Sequence, residues 1–321
     1  MSTPSTPITC IVGEPSLTVV VPVYNNAGSL AALHARLTAV LVDLASPFEI
    51  VYVNDASSDD SLELLTRLHA GDDRATVIDL AENAGQSAAV LAALSLARGR
   101  IVVTIDADLE NRPEDIPALV AALRNGADLA CGARRRRSAP LLTRRAPSVA
   151  ANWLVGRALG VDLEDWGCGL NAATDEIVRR MLAQDPLPLL PKIEAVLLAS
   201  CIAQVPVEHS ERAHGPSTYT VRRLSGFAAT FLRGFGIARS WRRVRTPAGL
   251  TAWAVLTVAA LVTRAWQGSS AGRSTAPFRI REIRVARGPA LPGFSRYPAL
   301  GDRPNDIVSR VRQHAERLQG T

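Results

Sequence analysis

The chain has almost no lysine: of its 36 basic residues only Lys192 is one, and the rest are arginine. A GC-rich genome explains that choice without any appeal to function. The net charge is still +6 and the pI near 9.7, a balance that suits an anionic partner such as a phosphorylated molecule or a membrane surface. Aromatic residues make up only 5%, and no nucleic-acid recognition motif occurs, so no nucleic-acid partner is expected. Cys10, Cys131, Cys168 and Cys201 are scattered, with no CxxC pair and no Cys/His spacing. That excludes a zinc module or disulfide framework and leaves core thiols in a reducing compartment. The first residues, MSTPSTPITCIVGEPS, have neither a basic start nor a long apolar stretch, so they read as a loose leader over 1–16, not a signal peptide. Long hydrophobic runs are scarce too. One uncharged run covers Thr246–Thr263, barely the ~20 residues of a membrane span.

What the chain does have is a regular alternation. LTVVVPV (17–23), FEIVYVN (48–54), ATVIDL (75–80), RIVVTI (100–105) and ADLACGA (127–133) read as five buried strands. Helical periodicity fills the gaps, over about Ser29–Leu44, Asp59–His69, Gln86–Ala97 and Pro113–Arg124. Near-continuous apolar strands alternating with helices predict an α/β fold with a mostly parallel sheet covered on both faces. In such sheets ligands bind beyond the carboxyl ends of the strands. The distinctive polar residues fall at that edge: Tyr24-Asn25-Asn26, Asn54-Asp55, Asn83, Asp106-Ala107-Asp108 and Arg134.

The stretch IVVTIDADLE (101–110) poses the chemical question. Asp106, Asp108 and Glu110 crowd the end of a buried strand, where unpaired like charges repel and are costly to desolvate. Either they form a solvated loop or a hard divalent cation sits among their oxygens. Their place on the ligand edge favours the cation.

Beyond Arg134 the pattern changes. ARRRRSAPLLTRR (133–145) is a basic loop, with a helical stretch near 147–159. The segment 163–181 reads as a loop leading into a helix, 191–201 as another helix, and 204–219 as a strand followed by a Gly/Pro-containing loop. Residues 221–263 form an amphipathic, then hydrophobic, segment. Arg239, Arg242, Arg243 and Arg245 precede the uncharged run, as expected for a cytoplasmic flank. Membrane association by span or in-plane anchor is expected, a buried helix being the alternative. The remainder, 264–321, is an arginine-rich tail.

VVVPVYNNAGSL, VYVNDASSDDSLELL, NAGQSAAVLAAL, VVTIDADLENRPEDI and CGARRRR occur in the order and spacing of the family 2 glycosyltransferases. More narrowly, with HSERAHGPSTY (209–219), the chain resembles the branch of dolichyl-phosphate mannose synthase and the bacterial polyprenyl-phosphate glycosyltransferases. The resemblance covers about Leu17–Leu224. It implies a GT-A-type, Rossmann-like catalytic domain over 17–220, followed by amphipathic and hydrophobic C-terminal helices. It also implies a nucleoside-diphosphate sugar donor, UDP- or GDP-linked. Pro22, Tyr24, Asn26, Asp55, Gln86 and Asp106 would bind that donor, and Asp106, Asp108 and Glu110 would hold Mg²⁺ or Mn²⁺. Asn26 stands where the family usually has Glu, and Glu110 where this branch usually has Gln.

The acceptor implied by the resemblance is a polyprenyl phosphate at the cytoplasmic membrane face. Arg134, Arg144 and Arg212, with Ser148 and Ser217, match positions that would grip its phosphate. Bidentate guanidinium contacts suit that task. Thr218 replaces a frequent Lys. The catalytic set is Asp108, Asp165 and Arg134. Asp165 stands where family members that glycosylate hydroxyls keep a base, so a hydroxyl acceptor with Asp165 as base is the alternative. A more remote one is a Mg²⁺-dependent phosphohydrolase of haloacid-dehalogenase type, suggested by DAD, Lys192 and GDRPND (301–306). The sugar, the base and the oligomeric state are not legible.

Overall fold

The computed structural model describes residues 16–134, 156, 160–184, 190–210 and 280–284. Among them the chain runs β1 (Leu17–Val23), α1 (Ala27–Asp43), β2 (Phe48–Asn54), α2 (Ser61–Gly71), β3 (Ala75–Leu80), α3 (Gln86–Leu96) and β4 (Ile101–Thr104). A 3₁₀ turn (Pro113–Asp115) then leads into α4 (Ile116–Arg124) and β5 (Leu129–Arg134). There follow β6 (Asn171–Thr174), α5 (Asp175–Leu182), α6 (Pro191–Leu198), β7 (Ile202–Val207) and β8 (Ile280–Arg284).

The eight strands form one sheet in the order β7-β5-β6-β4-β1-β2-β3-β8. The pairs β1–β2, β1–β4, β2–β3 and β5–β7 are parallel. β6 runs antiparallel between β4 and β5, and β8 antiparallel along β3. Two apolar layers cover the sheet. Leu30, Leu33, Leu37 and Leu41 of α1 recur at helical spacing and pack with Ile116, Leu119 and Leu123 of α4 on one face. On the other, Ala89, Ala92 and Ala93 let α3 lie close to β1 and β2, beside Val178 and Met181 of α5. Burying each large aliphatic side chain contributes about 1.5–3 kcal/mol, so the continuous strand runs and these helix stripes dictate the layering.

The expected mostly parallel α/β sheet is present, with three local differences. The segment read as a loop before a helix contains β6, because Asn171–Thr174 complete the ladders of β4 and β5. Pro113 opens a 3₁₀ turn, and the α-helix begins only at Ile116. Five residues of the stretch read as a basic tail form β8, closing the β3 edge of the sheet. The leader up to residue 15, the stretch 147–155 and the C-terminal helices expected over 221–263 lie outside the described residues, as does GDRPND. Among the described residues no helix is long and apolar enough to cross a membrane.

Candidate active site

The sheet order reverses between β1 and β4, whose chains leave in opposite directions, and the loops after β1, β2 and β4 meet at that crevice. Pro22 lies in β1 beside Val53, Tyr24 is 49% exposed, and Asn26 precedes α1. The loops are laced together by short polar contacts. The backbone N–H of Asn26 donates to Ser61 Oγ (3.0 Å), that of Ala27 to Asp59 Oδ2 (3.0 Å), and that of Ser58 to Asn25 Oδ1 (2.8 Å). Ser29, buried at the start of α1, donates towards the carbonyl of Ala107 (2.6 Å) and so ties the first loop to the Asp106–Asp108 backbone. Asn25, Ala56 and Leu109 each adopt positive φ, a left-handed conformation costly for residues with a side chain. All three sit in these loops.

Asp55 is buried at the end of β2. Its two oxygens accept the backbone N–H groups of Ala84 (2.6 Å) and Gly85 (2.9 Å). Burial pushes its carboxyl up, and those two hydrogen bonds pull the other way. Asp55 thereby fixes the turn that starts α3, where Gly85 has φ +87°. The first residue of that helix, Gln86, donates through Nε2 to Asp106 Oδ1 (2.6 Å). Gln86 and Asp106, 20 residues apart in sequence, are direct neighbours.

Burial, then the charges of Asp108 and Glu110, push the Asp106 carboxyl up to about 6, against the pull of Lys192 and Arg134. Asp108 Oδ1 accepts the N–H of Glu110 (3.1 Å), and Glu110 Oε2 lies 3.8 Å from His209 Nε2. Among the described residues no three acidic, His or Cys side chains converge into a metal cluster. A hard cation held by one or two carboxylates and by substrate phosphates needs no such cluster. Asp106, whose carboxyl is raised by its neighbours Asp108 and Glu110, forms with them a strand-end oxygen set that such a cation fits.

Across the crevice Arg134, the last residue of β5, forks onto Asp165: Nε to Oδ2 at 2.5 Å and Nη2 to Oδ1 at 2.9 Å. Burial acts to raise the Asp165 carboxyl, but the hydrogen bonds and charge of Arg134, with Lys192 and the Gly167 N–H, hold it below its ordinary value. Trp166 is buried with Leu129, Ile177 and Ile193, so it packs and does not cover the crevice. Gly169 lies directly against the Asp106 carboxylate. Lys192 Nζ donates to the carbonyls of Asp165 and Cys168, both at 3.0 Å. The structure thus brings together Asp106, Asp108, Glu110, Gln86, Arg134 and Asp165, with Asp55 behind them. Arg144, Ser148, Arg212 and Ser217 lie outside the described residues. Sequence reasoning missed Ser29, Gly169 and Lys192 as parts of the site; the isolated lysine and the glycines of WGCG (166–169) were the only signals.

A sheet of this order, carrying an Asp-x-Asp turn at its switch edge, defines a glycosyltransferase fold of GT-A type. The chain belongs to glycosyl transferase family 2, whose sequence model matches residues 18–185. It is 42% identical over 209 residues to an undecaprenyl-phosphate 4-deoxy-4-formamido-L-arabinose transferase of Pseudomonas aeruginosa, covering 65% of this chain and 61% of that protein. It is 36% identical over 212 residues to a dodecaprenyl-phosphate galacturonate synthase of Rhizobium johnstonii, covering 64% of this chain and 62% of that one. The match thus spans less than two thirds of the length of these relatives. Among solved structures, a mycobacterial protein superimposes with TM-score 0.53 at 26% identity over 70% of this chain and 76% of its own. Glucosyl-3-phosphoglycerate synthase of Mycobacterium tuberculosis, in complex with Mn²⁺, uridine diphosphate and phosphoglyceric acid, superimposes with TM-score 0.51 at 22% identity, covering 70% of this chain and 79% of that one. This second likeness is one of fold. Family membership leaves the phosphohydrolase reading without support.

Proposed function

We propose that the protein transfers a sugar from a UDP- or GDP-linked donor to a polyprenyl phosphate at the cytoplasmic membrane face, with inversion at the anomeric carbon. The observation that carries this reading is the fork of Arg134 on Asp165. A carboxylate held ionised by a guanidinium is a weak base, ill suited to deprotonating a hydroxyl. A phosphate acceptor is already anionic and needs no base. The polyprenyl-phosphate acceptors in the names of both relatives support the same choice.

Asp106 and Asp108, with Glu110 behind them, would hold Mg²⁺ or Mn²⁺, which neutralises charge on a diphosphate. The chain's own groups do the rest. The turn held by Asp55 sets Gln86 beside Asp106, at the place assigned to the diphosphate. Tyr24 and Asn26 border the nucleotide side. Arg134, with Arg144, Arg212, Ser148 and Ser217, would place the acceptor phosphate. One of its oxygens forms a bond to the anomeric carbon as the bond from that carbon to the diphosphate breaks. The electron pair leaves with the nucleoside diphosphate, and no proton need move. The 221–263 segment would bring the site to the membrane, where the lipid phosphate lies.

The test is a transfer assay on membranes containing the full chain, with undecaprenyl phosphate, Mg²⁺ or Mn²⁺, and radiolabelled UDP- and GDP-sugars. Label is expected in the organic phase with wild type and not with Asp108→Ala. Arg212→Ala is expected to raise the acceptor KM more than the donor KM. Metal-dependent donor hydrolysis without lipid labelling would move the acceptor to a hydroxyl and return Asp165 to the role of base. Normal metal-dependent turnover by Asp108→Ala would sink the metal assignment.

A further inference from the structure

Lys192 is the second residue of α6, and its ammonium points back at the loop that precedes β6. Its two bonds bracket a short turn, one to the carbonyl of Asp165 and one to that of Cys168, each 3.0 Å long. The ends of that turn face opposite halves of the crevice. Asp165 carries the fork with Arg134 on the acceptor side. Gly169, next after Cys168, abuts Asp106 on the donor side. Asn171 Nδ2 also donates to the Cys168 carbonyl (3.1 Å), which fixes the turn to β6.

We propose that Lys192 is a positioning residue, holding the Asp165–Gly169 turn so that the Arg134–Asp165 pair and Asp106 keep one fixed spacing. The turn's own contact, the Gly167 N–H on Asp165 Oδ1 (3.0 Å), spans only two residues, whereas a carbonyl pair converging on one point suits a compact ammonium with tetrahedral donors. A guanidinium presents its N–H groups in a rigid plane and does not match that convergence. Every other basic position in the chain is arginine. Here alone the compact head is kept. Because the two halves would serve donor and acceptor, the inference rests on the transferase reading above.

The experiment compares full-length wild type, Lys192→Met and Lys192→Arg in membranes, varying donor and polyprenyl phosphate separately and following thermal unfolding in parallel. Lys192→Met is expected to lower kcat/KM by about 10–100-fold, raising the KM of donor and acceptor together while the protein stays folded at the assay temperature. Lys192→Arg is expected to restore only part. The proposal is overturned if only the folded fraction falls with both KM values unchanged, if one KM alone moves, or if arginine restores full activity. Should Lys192→Met not fold, Lys192→Arg supplies the same comparison. Should wild type itself label no lipid, the acceptor reading fails by itself. Calorimetry with UDP and GDP then decides: weaker binding by Lys192→Met upholds the inference, and equal binding overturns it.

Discussion

A β-carbon on Gly169 would stand 1.9 Å from Asp106 Oδ2 and 2.5 Å from its carboxyl carbon. Backbone and carboxylate are therefore in contact, and the loop before β6 forms the wall against which Asp106 rests. Gly169→Ala should displace that carboxylate by about an ångström, a shift that costs on the order of 100-fold in rate. Steady-state transfer kinetics with thermal unfolding as control measure this. Wild-type kcat/KM in a folded Gly169→Ala protein would show that Asp106 is not held to a fixed place.

Asp106 carries a second consequence, through its raised proton affinity. Its carboxyl is raised from 3.8 to about 6, so the folded state holds the proton more tightly than the unfolded chain. The associated stability is complete below the unfolded value and is lost as pH rises through about 6. Without a cation at neutral pH the ionised group is a burden. Asp106→Asn should raise the melting temperature at pH 7.5 by about 2–6 °C, leave it nearly unchanged at pH 4, and abolish transfer. Excess Mn²⁺ should then stabilise wild type and not the variant. Differential scanning fluorimetry at the two pH values reads all of this. A variant less stable at pH 7.5 would mean that the carboxylate is needed by the apo fold.

The Arg134–Asp165 pair makes a prediction about coupling. Two residues acting as one unit give losses that do not add. Asp165→Asn and Arg134→Gln should each lower kcat/KM, and the double variant should be little worse than the poorer single one. The pH profile of Asp165→Asn should keep its acidic limb. Loss of that limb, with strictly additive effects, would reveal Asp165 as a general base for a hydroxyl acceptor.

How far these relations were legible in the sequence differs between elements. The strands β1 to β4 announce themselves because each is buried on both faces and so is apolar throughout. That fixes the ligand edge, and with it the places of Asp55, Gln86 and Asp106. Asn171–Thr174 give no such signal. Four short residues starting with a polar one become a strand only because β4 and β5 leave a gap between them. Ile280–Arg284 set two isoleucines among three charged residues without alternation, and their partner β3 lies far earlier in the chain. The same limit applies to side chains. Asp55 stands at the ligand edge in the sequence pattern, but its bonds go to backbone N–H groups, which carry no residue identity. Arg134 and Asp165 are 31 positions apart, and they meet because β6 pairs with β5 and brings the loop before it back alongside.

The edge of the sheet away from the crevice tests stability apart from function. Glu49, near the start of β2, is 3% exposed and accepts Thr18 Oγ1 at 2.7 Å, the Arg98 N–H at 2.8 Å and Arg98 Nε at 2.7 Å, with Arg98 Nη2 also in contact. Thr18 Oγ1 in turn accepts the N–H of Gly99 (2.8 Å), so one carboxylate ties the beginnings of β1, β2 and β4. Removing one partner of a buried pair leaves the others without their acceptor and typically costs about 3–5 kcal/mol. The guanidinium of Arg98 is 38% exposed and can turn to water, which places Glu49→Ala at the low end, about 3 kcal/mol. Urea unfolding should register that loss, while kcat per folded molecule stays at the wild-type value because this cluster sits at the opposite ends of the strands from Asp106. A fall in kcat for the folded fraction would show that the starts of the strands are coupled to the crevice through the sheet.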